Sequence, residues 1–178
     1  MKKYTWMLLG LFIFAIGVLG IISPKSFVVE KSVIVNKGRF EVFDMIRSLK
    51  THKEWNPWAK KDPSIVYDFK GVDGTEGFIS HWLGNNQVGE GEQEIKKIVE
   101  GERIDYEIRF KSPFVTTNYS TLTTIEEGDS KTKLTWSMRG QMNFPFNVLF
   151  KIFKMQEKLE YDFEEGTNVL KAILEKEI

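Results

Sequence analysis

Two histidines, His52 and His81, are the only imidazoles in this 178-residue chain, and it has no cysteine. That inventory excludes disulfides, thiolate nucleophiles, cysteine-based zinc sites and a three-histidine metal site. General acid–base chemistry needs a histidine or carboxylate held against a partner. His52 lies among Lys50, Thr51 and Lys53, which reads as a loop. His81 alternates with Ser80 and Trp82, so it should face away from the apolar side of a strand. Neither has a carboxylate partner evident in the sequence. Glu90, Glu92 and Glu94 look like an acidic cluster, but parity sets them opposite Gln93 and Ile95, on a solvated face. A register slip of one residue would turn them inward. No G-x-S-x-G, H-E-x-x-H or phosphate-binding glycine loop is present. The sequence therefore assigns no catalytic residue, no cofactor and no metal ligand.

The remaining candidate chemistry is aromatic, phenolic and amidic. Trp55 and Trp58 flank Asn56-Pro57, and either rim a cavity mouth or pack the core. Trp82 and Trp136 fall on the apolar parity of their strands, where they either line a cavity or fill it. Tyr67, Tyr106 and Tyr119 would bring phenols into the same space. A buried phenol needs a partner, so these either bond to backbone or orient the polar end of a ligand. Charge adds an exclusion. The 25 basic and 25 acidic residues cancel, whereas a nucleic-acid binder carries a basic excess that displaces counterions.

The elements that must position these residues follow from periodicity. Residues 27–35 are β-branched and partly alternating, a strand. Phe40, Phe43, Ile46 and Leu49 repeat at helical spacing and predict a helix over 39–49. A helical turn starting at Pro57 fits proline's preference for the first helical position. From Ser64 to Met142 the period becomes two, giving six strands joined by short turns. Ile104, Tyr106, Ile108 and Phe110 alternate most cleanly, with Asp105, Glu107, Arg109 and Lys111 between them. Tyr119, Thr121 and Thr123 are assigned to the inner face of the Thr-rich strand 115–125. Beyond Phe144-Pro145 a helical stripe runs through Val148, Ile152, Met155, Leu159, Phe163, Leu170 and Leu174, with a kink expected near Met155 to Glu157. Gly166 sits inside that helix, where glycine costs up to about 1 kcal/mol against alanine.

The N-terminal end is different in kind. No charge interrupts Tyr4 to Ile22, and as a helix this run spans about 28 Å, close to a bilayer's hydrocarbon core. Tyr4 and Trp6 suit an interface, and Ser23-Pro24 ends the helix. A cleaved signal peptide is the rival reading, but its apolar region is shorter and Ile22-Ser23-Pro24-Lys25-Ser26 is a poor cleavage site. The expected organisation is a transmembrane anchor over 1–24 and one domain over 25–178. Lys2 and Lys3 favour a cytoplasmic N-terminus and a domain outside the cytoplasm, a bias diluted by Lys25, Lys31, Lys37 and Arg39.

The order strand, helix, short helix, six-strand meander and long helix gives an α+β fold. One curved antiparallel seven-strand sheet wraps on a long C-terminal helix, preceded by one transmembrane helix. Such a sheet tends to leave a space beneath its helix. Glu54-Trp55-Asn56-Pro57-Trp58, Trp82, Gly89-Glu90-Gly91 and Leu134-Thr135-Trp136-Ser137-Met138 resemble the SRPBCC (START-like) superfamily, in its polyketide-cyclase-like branch. The resemblance covers about residues 26–176. It implies the helix-grip fold and a ligand cavity between sheet and C-terminal helix. The lining expected from it and from strand parity is Trp55, Trp58, Tyr67, Phe78, Trp82, Gln93, Tyr106, Ile108, Tyr119, Thr121, Trp136, Met138, Phe163 and Gly166. The superfamily hosts many functions, so fold alone proves no activity. Three expectations stand side by side. The first is a membrane-tethered binder or carrier of an apolar small molecule or lipid. The second is a cyclase- or hydrolase-type enzyme using a polar pair such as Tyr106 with Gln93. The third is an interaction module without a ligand, which a solidly filled interior would favour. Oligomeric state is open.

Overall fold

A computed structural model describes residues 2–176. Helix α1 (Lys2–Ile22) leads into strand β1 (Ser26–Val35). Three short helices follow: α2 (Arg39–Arg47), α3 (His52–Trp55) and α4 (Pro57–Lys61). The meander is β2 (Val66–Lys70), β3 (Ile79–Leu83), β4 (Glu90–Val99), β5 (Arg103–Ser112), β6 (Thr116–Glu126) and β7 (Thr132–Gln141). Helices α5 (Phe146–Ile152) and α6 (Met155–Leu174) complete it. The single antiparallel sheet has the order β1-β7-β6-β5-β4-β3-β2, so the first strand pairs with the last.

The expected elements form with three local departures. Helix α2 stops at Arg47 rather than at 49 because Asp73, in the β2–β3 loop, captures the next two residues. Its carboxylate accepts the Leu49 amide at 2.9 Å and the Ser48 hydroxyl at 2.6 Å. His52 is not in a loop: it opens α3 and is buried. The C-terminal helix is broken at Phe153–Lys154, where Lys154 takes a left-handed conformation (φ 50°), just ahead of the expected kink. Pro57 opens α4, and the Asn56 side chain caps it by accepting from the Trp58 amide at 2.9 Å.

One strand is turned over relative to the sequence reading. On β6 the inward residues are Asn118, Ser120, Leu122 and Thr124, while Tyr119, Thr121 and Thr123 face out. Both parities of this strand carry threonine and apolar residues, Leu122 on one and Tyr119 and Ile125 on the other. The register decides: Leu122 stands opposite Ile104 on β5 and Trp136 on β7, both inward. Tyr119 instead lies under the Arg139 guanidinium, and Thr121 bonds to Asp105 at 3.0 Å.

Helix α6 packs on β1 and β7 and comes close to the sheet at Gly166. A Cβ there would sit 2.8 Å from the Trp136 ring and 3.1 Å from Pro57. Trp136 stacks on Phe163 with centroids 3.9 Å apart, and Trp55 and Trp58 meet Trp136 edge-on. Rings buried this way contribute about 1.5–3 kcal/mol each. Lys31–Glu164, Lys60–Glu165 and Lys61–Asp162 pair α6 with its surroundings. Gly166→Ala should therefore destabilise the protein by about 1–2 kcal/mol although alanine is the better helix former. Thermal unfolding checks this, and a stabilised variant would show that the helix can stand off the sheet.

Candidate functional site

The inner face of the sheet is a lattice of cross-strand rows. Ile104, Leu122 and Trp136 form one row, and Ile95, Tyr106, Ser120 and Met138 the next, with Phe78 at its end. Phe69, Ser80, Gln93, Ile108, Asn118 and Gly140 follow, and then Tyr67, Trp82, Gly91 and Phe110. The first two rows lie under α2, α3 and α6 and are fully buried. Directly beneath α6 the expected cavity is filled. Trp55, Trp136, Phe163 and the bare Cα of Gly166 occupy it, and Trp58 closes its side. Ser120 accepts the Trp136 indole N–H at 3.0 Å, so that ring is satisfied within the core. The Trp55 indole nitrogen is buried with no partner among the described residues.

Beyond the edge of α6 the inner face is less fully covered. Tyr67, Trp82, Gln93 and Phe110 are only half-buried, on the inward parity of β2 to β5. Trp82 meets Phe110 edge-on at 5.4 Å and lies across Gly91, where any Cβ would collide with the indole. Phe69 stacks between Tyr67 and Phe78. Two amides lie along the third row: Gln93 beside these rings, and Asn118 over Gly140, next to Phe27. Gln93 makes no side-chain hydrogen bond among the described residues. Asn118 is 7% exposed and its buried Oδ1 has no partner among the described residues. They are separated by the single strand β5, roughly 10 Å at the usual strand spacing. The sequence reading found Gln93 and missed Asn118, because it placed the opposite parity of β6 inside. Leu122 shares its parity with Asn118, but Tyr119 and Ile125 on the other parity give the opposite signal.

The groups best suited to proton transfer are engaged elsewhere. The Tyr106 hydroxyl donates to the Ile46 carbonyl at 3.0 Å, and His52 Nε2 lies 3.0 Å from the same oxygen. Ile46 is near the C-terminal end of α2, where carbonyls lack helical partners, so two buried side chains complete that end. Burial pushes the Tyr106 phenol well above its usual range and lowers His52 to about 4. Burial also raises Tyr67. His81 does face outward, but it has a carboxylate: Nε2 lies 3.1 Å from Glu90. Glu90, Glu92 and Glu94 face outward as expected, in a ladder of ion pairs with Arg109, Lys111 and Lys96. The Lys111 hydrogen bond holds Glu92 low, the Lys96 bond holds Glu94 low, and the Glu94 bond raises Arg109. Asp62, held low chiefly by the Ser64 hydroxyl, also accepts the Asn85 amide at 2.6 Å and so fixes the β3–β4 loop beside Tyr67.

Two open surface depressions lie away from the inner face. One, of about 510 Å³, runs between Lys60 and the outer flank of α6; the other, of about 290 Å³, lies between the start of α2 and the β6–β7 turn.

Many solved structures share this architecture. A protein from Chromobacterium violaceum superposes with a TM-score of 0.60 at 15% identity, covering 84% of this chain and 98% of its own. One from Nitrosospira multiformis gives 0.59 at 20%, covering 83% and 96%. Truncated norcoclaurine synthase from Thalictrum flavum gives 0.62 at 13%, covering 88% and 98%. The fold is the helix-grip fold. No family model and no curated protein sequence matches the chain, and identities this low carry the architecture alone.

His52 makes the helix-grip core acid-sensitive. Its folded value, about 4, lies below its usual 6.5. The unfolded chain therefore binds the extra proton first, and stability is complete above pH 6.5 and falls as pH drops towards 4. About 2–3 kcal/mol should be lost by pH 4.5. Thermal unfolding of the wild type and of His52→Gln at pH 7 and pH 4.5 should show a smaller drop in the variant; equal drops would rule out His52 as the cause.

Proposed function

We propose that the chain is a membrane-anchored member of the SRPBCC (START-like) superfamily, in its polyketide-cyclase-like branch, that binds or carries an apolar small molecule or lipid. The anchor is residues 1–24 and the binding domain 25–178, oriented outside the cytoplasm. The Trp55-Asn56-Pro57-Trp58 segment supports the branch. One helix, Tyr4–Ile22, is long and apolar enough to cross a membrane, and almost none of it is buried against the rest of the protein.

The observation that carries the binding reading is the buried Asn118 Oδ1, which has no partner among the described residues, together with the half-exposed Gln93 amide, which makes no side-chain hydrogen bond among them, beside a half-covered aromatic face. A buried amide left unpaired costs about 1–3 kcal/mol, so its retention favours a ligand that supplies the missing bonds. The ligand this suits has an apolar body against Tyr67, Trp82, Phe110 and Ile108, and polar groups that exchange hydrogen bonds with Gln93 and Asn118. The occupied space is the flank beyond α6, not the space under it. Catalysis has less support, because Tyr106 and His52 both complete the α2 terminus. The ligand-free module draws support from the filled knot around Trp136, but Trp82 is not packed in that way.

Stability and binding should move in opposite directions in one variant. Asn118→Leu keeps the shape and removes the unpaired amide, so it should stabilise the empty protein by about 1 kcal/mol. It should also weaken retention of lipids from a mixed extract roughly tenfold, read by native mass spectrometry of the full chain released from nanodiscs. A chain that retains nothing from a broad lipid panel would sink the binding reading.

A further inference from the structure

The end of the domain nearest α1 carries apolar residues that the fold does not use. Helix α5 turns Asn147 and Val148 inward, against α1 and the core. Its opposite stripe of Phe146, Leu149 and Ile152, continued by Phe153, is also apolar and is exposed, Ile152 by 60% and Phe153 by 57%. A helix apolar on both sides is normally buried on both sides. The β5–β6 loop adds Val115, 89% exposed, and Phe114, whose ring packs on Phe146 with centroids 4.5 Å apart. Phe144 reaches across to Gly20 of α1. The result is one continuous apolar collar contributed by three chain segments.

Its position relative to α1 is fixed. Asn147 Nδ2 donates to the Gly20 carbonyl at 2.9 Å and to the Ser23 carbonyl at 3.4 Å, two of the carbonyls that a helix C-terminus leaves open. The Met142 amide donates to the Lys25 carbonyl at 2.7 Å. The exit from α1 is thus joined to the collar rather than linked to it by a loose tether. Lys25 and Lys151, both exposed, make no ion pair among the described residues, and Lys154 stands nearby. Aromatic and aliphatic side chains bordered by lysines match a headgroup–acyl boundary.

We infer that this collar lies in the surface of the bilayer that α1 crosses, with Phe114, Val115, Leu149, Ile152 and Phe153 in the lipid boundary. This rests on the anchoring reading above. The occupant is lipid because the collar is continuous with α1 and bordered by Lys25 and Lys151, which make no ion pair among the described residues. The half-covered face of Trp82 and Phe110 opens at the same end of the sheet, bordered by the β3–β4 and β5–β6 loops. A membrane-soluble ligand would then reach Gln93 from the bilayer without crossing water.

The absence of cysteine makes the test direct. Single-cysteine variants of the full chain, Val115→Cys, Ile152→Cys, Val72→Cys and Leu11→Cys, carry an environment-sensitive fluorophore. They are reconstituted into phosphatidylcholine–phosphatidylglycerol vesicles containing lipid-borne quencher. Val72 is exposed in the β2–β3 loop, at the far end of the sheet, and Leu11 is within α1. Labels at 115 and 152 should lose about half their emission and shift to the blue, and the label at 72 should lose less than about a tenth. Quenching at 11 with none at 115 and 152 would overturn the collar and leave the anchor standing. No quenching at 11 would overturn the anchor reading, and the collar with it. A blue shift at 115 and 152 without lipid quenching, growing with the protein-to-lipid ratio, would assign the collar to a second copy of the chain and overturn the inference.

Discussion

The architecture depends on how closely one helix can approach one strand. At Gly166 the backbone of α6 lies directly against the Trp136 ring, and no other residue type leaves that space. Close approach lets Phe163 stack on Trp136 and brings the Trp55 and Trp58 edges in from the side. The helix is thereby committed to the β1–β7 side of the sheet. A sheet of seven twisted strands is wider than one helix, so commitment to one side leaves the other partly uncovered. The solid core and the half-open face are two results of the same contact.

This division sorts the aromatic residues by role. Trp55, Trp136 and Phe163 hold the helix down, and Trp58 braces them. Trp82 and Phe110, on inward parity but beyond the helix edge, retain accessible ring surface. Residue type does not separate the groups; distance from α6 does. The polar groups divide likewise. Tyr106, His52 and Asp73 close the end of α2, a backbone requirement, whereas the Gln93 side chain and the Asn118 Oδ1 bond to nothing among the described residues.

The fold was readable in the sequence wherever one parity was dry and the other wet. The alternation from Ile104 to Phe110 fixed β5 and its inner face, and Leu134, Trp136 and Met138 fixed β7. It failed on β6, where threonine and serine occupy both parities and only pairing with flanking strands chooses between them. Parity along the chain alone therefore puts Tyr119 and Thr121 inside and Asn118 outside. The end of α2 was also hidden, because it is set by Asp73, a residue distant in sequence. Whether space would exist beneath α6 depended on a three-body contact among Gly166, Trp136 and Pro57, which no pattern along the chain encodes. The pairing of α1 with α5 through Asn147 was equally out of reach.

The sheet order has a consequence for how the protein is made. β1 leaves the ribosome directly after α1, yet its only strand partner is β7, with Val35 set against Thr132 and Ser26 against Gln141. Until β7 has been synthesised, Phe27 and Val29 have no sheet to join, and α6, which packs on β1, comes later still. Closure over so long a separation is slow and leaves apolar surface uncovered meanwhile. Vectorial synthesis therefore delivers this domain as an open six-strand meander that its earliest strand must return to and seal. Quality control during biogenesis would act on that interval, and substitutions that delay the return of β1 would reduce yield before they changed the finished fold.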